Sequence, residues 1–159
     1  MRKVPLLLAT AIVSIATIAS SATASDKATV QTFYDFLSNP GSKSHAQTFQ
    51  SNVSKDWQSI GNYSGKNKTA GAFIGQLGFF AKLIPDLKWK VEEMIQAGDR
   101  VIVRGRASGT PKEPLFGVDS KGEGFTFMSI DIHTIKDGKI AKTYHVEDWV
   151  GALAQLKGK

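Results

Sequence analysis

Four consecutive segments in the second half of the chain alternate apolar and polar residues, and this order limits the possible folds most. Ala97-Gly98-Asp99 and Asp137-Gly138 separate two pairs of these segments with residues that favour tight turns. Short turns join neighbouring antiparallel strands, whereas residues 110–122 form a longer, irregular crossover. The sequence therefore predicts an antiparallel meander with strands over residues 87–96, 100–109, 123–135 and 139–147.

Three helical patterns precede these strands. Apolar side chains recur at helical spacing in residues 26–38 and 69–84, and a shorter helix is predicted over 43–50. Residues 54–61 favour only a weak strand or a loop. Helices followed by strands are typical of α+β proteins rather than alternating βαβ folds. We therefore expect a cone-shaped, curved antiparallel sheet packed on three N-terminal helices. An apolar pocket should lie between the longest helix and the concave face of the sheet.

The first 24 residues have the pattern of a secretory signal peptide. Arg2 and Lys3 precede a long apolar stretch, and Ala22-Thr23-Ala24 matches a small-residue cleavage site. Cleavage there would leave one domain, residues 25–159, in the periplasm or secreted, with no stable membrane anchor. A retained N-terminal anchor helix is the alternative.

Several classes of function are disfavoured by composition and motifs. The chain has no cysteine, which excludes thiolate metal sites and a cysteine nucleophile. Its net charge is +6, but the lysines are scattered, so we expect no nucleic-acid partner. Three histidines without tight spacing predict no metal site. A nucleophile elbow, a phosphate-binding loop and a dinucleotide fingerprint are all missing from the sequence.

The last predicted hairpin carries most of the residues suited to proton transfer. Asp131 and His133 lie on its first strand, and His145, Glu147 and Asp148 lie on its second. Pairs of histidine and carboxylate side chains commonly move protons near neutral pH. A carboxyl group in apolar surroundings also has a raised pKa, which suits it to act as an acid.

Asp148 is the first candidate for a general acid and base, because Tyr144 and Val146 could shelter its carboxyl group. On a regular strand these three side chains share one face, whereas His145 points to the other. Both His145 and Asp148 can therefore face one pocket only if the strand bulges near 146–148. The alternative role for Asp148 is to cap the short terminal helix.

The same alternation groups further residues by face. Asp131 and His133 share a face with two phenylalanines, although a surface or interface pair is the alternative for these two. A structural role is likewise the alternative for His145. The aromatic candidates for the pocket have core packing as their alternative. The predicted pocket residues are Trp57, Phe80, Trp89, Phe127, Asp131 and Tyr144.

The motifs of the C-terminal half together resemble a known family. They are Gly109–Pro111, Leu115–Val118, Ser129–His133, Asp137–Ile140, Tyr144–Trp149 and Ala152–Leu156. Over about residues 86–156 they are similar to the SnoaL-like polyketide cyclases, or ester cyclases, of the nuclear-transport-factor-two-like superfamily. The resemblance implies a cystatin-like α+β barrel, a homodimer, and a pocket that binds a small molecule without a cofactor.

The resemblance also implies roles for three residues. Asp148 matches an aspartate that acts as general acid and base in the aldol closure of a polyketide ester, with His133 or His145 assisting. We expect such an enzyme acting on a small apolar carbonyl compound. The alternatives are an exported binding protein that uses the same pocket, and a dimeric interaction domain whose pocket is filled.

Overall fold

The order of helices and strands follows the predicted pattern closely. The computed structural model describes the backbone of residues 15–158 and the side chains of residues 25–158. The elements are α1 (Ile15–Ser38), α2 (Lys43–Asn52), β1 (Val53–Ile60), β2 (Lys68–Thr69), α3 (Ala70–Leu83), β3 (Lys88–Ala97), β4 (Arg100–Gly109), β5 (Phe125–Lys136), β6 (Lys139–Glu147) and α4 (Trp149–Leu156).

The predicted signal peptide, residues 1–24, lies outside the described residues, apart from a backbone segment that continues α1 towards the N-terminus. Across residues 15–158, no helix combines the length and the apolar character needed to cross a membrane.

Six strands form one sheet in the order β2-β1-β6-β5-β4-β3. Strands β3 to β6 pair antiparallel in sequence order, which confirms the predicted meander. The weak strand near residues 54–61 is β1, and it pairs parallel with β6. The sheet is therefore mixed, and the expectation of a wholly antiparallel sheet is wrong at this position. A parallel neighbour requires a long crossover, which α3 and the meander provide.

Irregularities in the strand pairing bend the sheet around the helices. The register shifts in β1 between Val53 and Gln58, and in β3 between Val91 and Glu93. Such bulges increase the local twist and bend the strand. The sheet stays open, with β2 and β3 at its edges, so the structure is a curved half-cone and not a closed barrel.

The main core lies between the helices and the concave face of the sheet. Helix α1 buries an apolar stripe there, and five aromatic rings from α1, α2, β1 and α3 form its centre. Neighbouring ring centroids in this cluster lie 5.3–6.3 Å apart, a spacing at which aromatic pairs attract one another. The cluster consists of Phe33, Phe36, Phe49, Trp57 and Phe73.

Helix α4 is fastened to the start of β5 by one side chain. The Gln155 amide donates to the Thr126 carbonyl over 2.8 Å and accepts from the Thr126 N–H over 2.9 Å. Gln155 thus satisfies both backbone groups of Thr126, as a neighbouring strand would. This contact holds α4, which begins at Trp149, against the start of β5.

Candidate active site

A cavity of about 290 Å³ opens between α1, α3 and the concave face of the sheet. This volume is near the lower end of the roughly 300–1,000 Å³ typical of small-molecule sites. The titratable lining residues are Asp131, His145, Glu147 and Lys68, and the uncharged polar ones are Ser59, Asn62 and Gln76. The apolar wall includes Phe33, Leu37, Phe73, Leu77, Phe80, Leu87, Trp89, Phe116 and Trp149.

The pairing of β5 with β6 brings the titratable residues together. Asp131 lies opposite His145, and Ser129 lies opposite Glu147. Directly opposed residues of an antiparallel pair project from the same face of the sheet. Because Asp131 is on the concave face, His145 and Glu147 also face the cavity.

Asp131 is a buried carboxyl group in the cavity wall, with only 2% of its surface exposed. Its Oδ2 accepts hydrogen bonds from the Tyr34 hydroxyl at 2.9 Å and the Ser129 hydroxyl at 3.2 Å. Within the described residues, Oδ1 receives no hydrogen bond. Burial raises the pKa of Asp131 to about 7, although the Tyr34 hydrogen bond opposes this change. Near neutral pH this group is therefore able to give or take a proton.

His145 is oriented by a neighbouring carboxylate. Its Nδ1 lies 3.5 Å from Oε1 of Glu147, and Oε2 of Glu147 accepts a hydrogen bond of 2.6 Å from the Trp149 indole. Burial raises the pKa of Glu147, but the hydrogen bond and charge of His145, the Trp149 hydrogen bond and the charge of Lys68 together outweigh burial and bring this pKa below its ordinary value. Glu147 is thus an ionised partner for His145 at neutral pH.

Two buried nitrogen atoms in the cavity wall have no hydrogen-bond partner within residues 25–158. They are Nε2 of His145 and Nε1 of Trp89. Leaving such a group unpaired costs about 1–3 kcal/mol, which a polar atom of a ligand would offset. The backbone around Trp89 is held firmly, because Ser38 on α1 bonds both its N–H and its carbonyl, each over 2.9 Å.

Gly61 leaves the space that the His145 ring occupies. A Cβ atom at position 61 would lie 2.8 Å from both Cε1 and Nε2 of His145. Any larger residue would displace the ring, so glycine is required at the end of β1 for this arrangement.

His133 lies in the core beyond Tyr34 and does not line the cavity. Its side chain is completely buried, with Nε2 2.9 Å from the Tyr34 hydroxyl and Nδ1 3.0 Å from Oγ1 of Thr143. Burial lowers the pKa of His133 to about 3, and the nearby charge of His145 acts in the same direction. His133 therefore stays neutral and contacts Asp131 only through Tyr34.

Asp148 lies on the outside of the sheet, where its side chain is exposed. Its Oδ1 accepts a 2.8 Å hydrogen bond from the Gly151 N–H, and Asp148 is the N-cap of α4. Beyond an irregularity near Ala141, β6 pairs in unbroken register with β5 from Lys142 to Glu147, so the alternation directs His145 inwards and Asp148 outwards. The expectation that Asp148 faces the pocket is thus corrected, and the alternative role of helix cap is the one observed.

The other predicted pocket residues divide into two groups. Phe80, Trp89 and Asp131 line the cavity. Trp57 belongs to the aromatic core, and Phe127 lies behind the wall against Trp89 and Trp149. Tyr144 pairs with Ile132 on the opposite face of the sheet from Asp131, because side chains alternate along a strand.

Several residues of the site were not predicted, and Tyr34 and Trp149 are two of them. Tyr34 belongs to the apolar stripe of α1, and its distance of 97 residues from Asp131 hides their contact in the sequence. Its hydroxyl group within a buried stripe is the one available signal, because a buried hydroxyl needs a partner. Trp149 enters the sequence analysis only as the end of the Tyr144–Trp149 motif, whereas in the structure it lines the cavity.

A search of protein-family models identifies one that covers most of this chain. The model of the SnoaL-like polyketide cyclases matches residues 28–156. A search of the curated proteins finds no significant match.

Solved structures share the fold at low sequence identity. TsrD from Streptomyces laurentii is 20% identical, with 86% of this chain and 97% of TsrD covered and a TM-score of 0.72. IdmH from Streptomyces antibioticus, a proposed polyketide cyclase, is 23% identical, with coverage of 83% and 98% and a TM-score of 0.71. An epoxide hydrolase of the LEH-like type from M. tuberculosis is 12% identical, with coverage of 85% and 91% and a TM-score of 0.63.

The cap role of Asp148 predicts a specific pattern of stability. Asp148→Ala removes the acceptor for the Gly151 N–H and should lower the free energy of unfolding by about 1 kcal/mol. Asp148→Asn should change it little, because asparagine caps helices as well as aspartate does. Urea denaturation at neutral pH measures both changes, and equal losses in the two variants would contradict the cap assignment.

The buried carboxyl of Asp131 predicts an opposite sign of pH dependence from most aspartates. Its pKa rises from about 3.9 in an unfolded chain to about 7 in the fold. The folded state binds the extra proton between these values, so this group stabilises the fold at low pH and loses that contribution as the pH rises towards about 7.

The comparison of wild type with Asp131→Asn isolates this contribution. The unfolding free energy of Asp131→Asn minus that of wild type should increase between about pH 4 and about pH 7, with a slope that approaches ~1.4 kcal/mol per pH unit. His133 has the opposite pH dependence because its pKa is lowered, but it is present in both proteins and largely cancels. A flat difference across this range would show that Asp131 titrates normally.

Proposed function

The chain belongs to the SnoaL-like polyketide cyclase family, and we propose that it is an enzyme that moves protons on a small, mainly apolar carbonyl compound. His145 is the general base in this proposal, and Asp131 is the general acid. The chemistry needs no metal or organic cofactor.

One observation is the main support for this proposal. An acid, Asp131, and a base oriented by a carboxylate, His145, face each other across one strand pair in the wall of an apolar cavity. A base with one ring nitrogen on a carboxylate and the other free is a common arrangement in acid-base enzymes. The polar convergence also favours an enzyme over a protein that only binds an apolar compound.

The proposed first step is removal of a proton from the carbon next to a carbonyl. Nε2 of His145 takes the proton, the electron pair of the C–H bond forms the C=C bond of the enol, and the π electron pair of the carbonyl moves to its oxygen. Asp131 donates its proton to that oxygen, and the unpartnered Trp89 N–H in the cavity wall is a further candidate donor to the substrate. In a ring closure the enol carbon would attack a second carbonyl, whose oxygen would take the proton from His145 while Asp131 recovers its own.

The cavity favours compact substrates. Its volume of about 290 Å³ suits a molecule with an apolar body, while the oxygen atoms would face Asp131 and His145. We propose that this activity takes place in the periplasm or outside the cell, because residues 1–24 have the pattern of a signal peptide, and the compound would have to be present there. If the cavity instead serves an exported binding protein, the same compounds should bind without any change in their C–H bonds.

Proton removal can be tested without the natural substrate. Small apolar β-keto esters and aryl ketones in D₂O should gain deuterium at the carbon next to the carbonyl, which NMR or mass spectrometry detects. Each of His145→Gln and Asp131→Asn should slow this exchange about 100-fold or more, in line with the usual contribution of a general acid or base.

Asp148→Asn is the matched control, since it makes the same chemical change outside the cavity and keeps the cap of α4. It should retain the wild-type exchange rate. Loss of exchange in Asp148→Asn with normal rates in Asp131→Asn would instead support the hypothesis based on the family resemblance. Binding of the ketones without exchange would favour the binding protein.

We further propose that two copies associate through the convex face of the sheet. Met128 and Ile130 on β5 are 56% and 39% exposed, and Val146, 71% exposed, lies beside Ile130. Ion pairs between β3 and β4, including the 2.8 Å contact of Arg106 with Glu92, border this apolar area. An apolar centre with a charged border is typical of subunit interfaces.

The double variant Met128→Lys/Ile130→Lys should therefore convert a dimer to a monomer in light scattering coupled to size-exclusion chromatography. Phe79→Lys is the control, because Phe79 is 61% exposed on helix α3, away from this face. A wild-type protein that is monomeric at all concentrations, or a double variant that remains dimeric, would refute this interface.

A further inference from the structure

A continuous chain of hydrogen bonds runs through the core and ends at Asp131. Trp57 Nε1 lies 3.1 Å from Oγ1 of Thr143, and this hydroxyl is 3.0 Å from Nδ1 of His133. Nε2 of His133 lies 2.9 Å from the Tyr34 hydroxyl, which lies 2.9 Å from Oδ2 of Asp131. The chain joins β1, β6, β5 and α1, and its side chains are buried.

The groups at the two ends of this chain determine which atom donates and which accepts in each of its hydrogen bonds. The indole of Trp57 can only donate, so Thr143 accepts from it and has one hydroxyl hydrogen left to donate. At the other end an ionised Asp131 can only accept, so Tyr34 donates to it. One placement of the hydrogen atoms then gives every group a partner. In it, Thr143 donates to Nδ1 of His133 and the Nε2–H of His133 donates to Tyr34.

We propose that this chain holds His133 as the Nε2–H tautomer and keeps the exchangeable proton of Asp131 on Oδ1, the oxygen that receives no hydrogen bond from the described residues. Both Tyr34 and Ser129 donate to Oδ2, so a proton on Oδ2 would face two O–H groups and break the chain. A proton on Oδ1 leaves all these bonds intact. Tyr34, His133 and Thr143 are thus positioning residues for the acid.

The charge state of each member is consistent with a chain that does not itself ionise. Burial raises the pKa of Tyr34 well above its usual value, and the charge of Asp131 adds to this effect. Burial likewise keeps His133 neutral. On β4, Val103 lies opposite Asp131 and Val101 lies opposite His133, and neither residue titrates. The other titratable groups that face Asp131 or His133 are His145 and Glu147 of β6, with Lys68 of β2 acting on Glu147.

This inference rests on the proposed function only in taking Asp131 as the acid, and the tautomer can be measured without any substrate. The protein has three histidines, so ¹⁵N NMR spectra of His45→Gln and His145→Gln identify the His133 signals by elimination. His133 should show a protonated Nε2 and an unprotonated Nδ1 throughout about pH 5 to about pH 8. A protonated Nδ1, or a change of tautomer as Asp131 titrates, would overturn the proposal.

Substitutions of Thr143 distinguish the effect of its hydroxyl group from the effect of its volume. Thr143→Ser keeps the donor and should keep the Nε2–H tautomer of His133. Thr143→Val keeps the volume but cannot donate to Nδ1, so the spectrum should change to a mixture or to the Nδ1–H form. Identical tautomers in the serine and valine variants would also count against the chain.

Tyr34→Phe tests the link to the acid. Its hydrogen bond is the largest influence that lowers the pKa of Asp131, so the variant should shift the titration of Asp131 to higher pH. Where deuterium exchange is observed, its pH profile should move in the same direction, whereas a purely structural role would lower the rate without moving the profile. An unmoved titration would refute the link. A fixed tautomer without any exchange activity would refute the proposed function and leave the chain standing.

Discussion

A carboxyl group buried beneath an apolar cavity is the constraint on which the arrangement of this protein depends. Asp131 is removed from water by α1 and the sheet, and isolated burial of its charge would be very unfavourable. The hydroxyls of Tyr34 and Ser129 provide partners for one oxygen and leave the other without a hydrogen bond from the described residues. Gly105 on β4 is part of this solution, because a Cβ atom there would lie 2.7 Å from the Ser129 hydroxyl. Helix docking, strand pairing and the site are therefore parts of one structural unit.

Local patterns predicted the helices and strands well, because each depends on the spacing of apolar residues within a short segment. The meander of β3 to β6 followed from its turns, and alternation along β6 correctly separated His145 from Asp148. The parallel pairing of β1 with β6 was not predicted, since residues of the two strands are more than 80 positions apart and no turn connects them. The same reason explains why Tyr34 was not connected with Asp131.

The assignment of Asp148 shows how a motif and a side-chain direction can disagree. The motif around Tyr144–Trp149 suggested a catalytic aspartate, whereas in the structure Asp148 is the N-cap of α4. One residue along the chain makes the difference, because neighbouring side chains of a strand face opposite sides of the sheet. A fold shared by a family therefore does not determine which of two adjacent polar residues faces the ligand.

The bulge in β3 has a consequence for association of the folded protein. An edge strand exposes unpaired N–H and C=O groups that can recruit a strand from another molecule. In β3 the shift of register at Val91–Glu93 disrupts a flat edge, and Lys88, Lys90 and Glu93 add exposed charges along it. Bulges and charges at an edge are the usual protection against such strand addition. These features of β3 therefore disfavour the addition of a strand from another molecule at this edge.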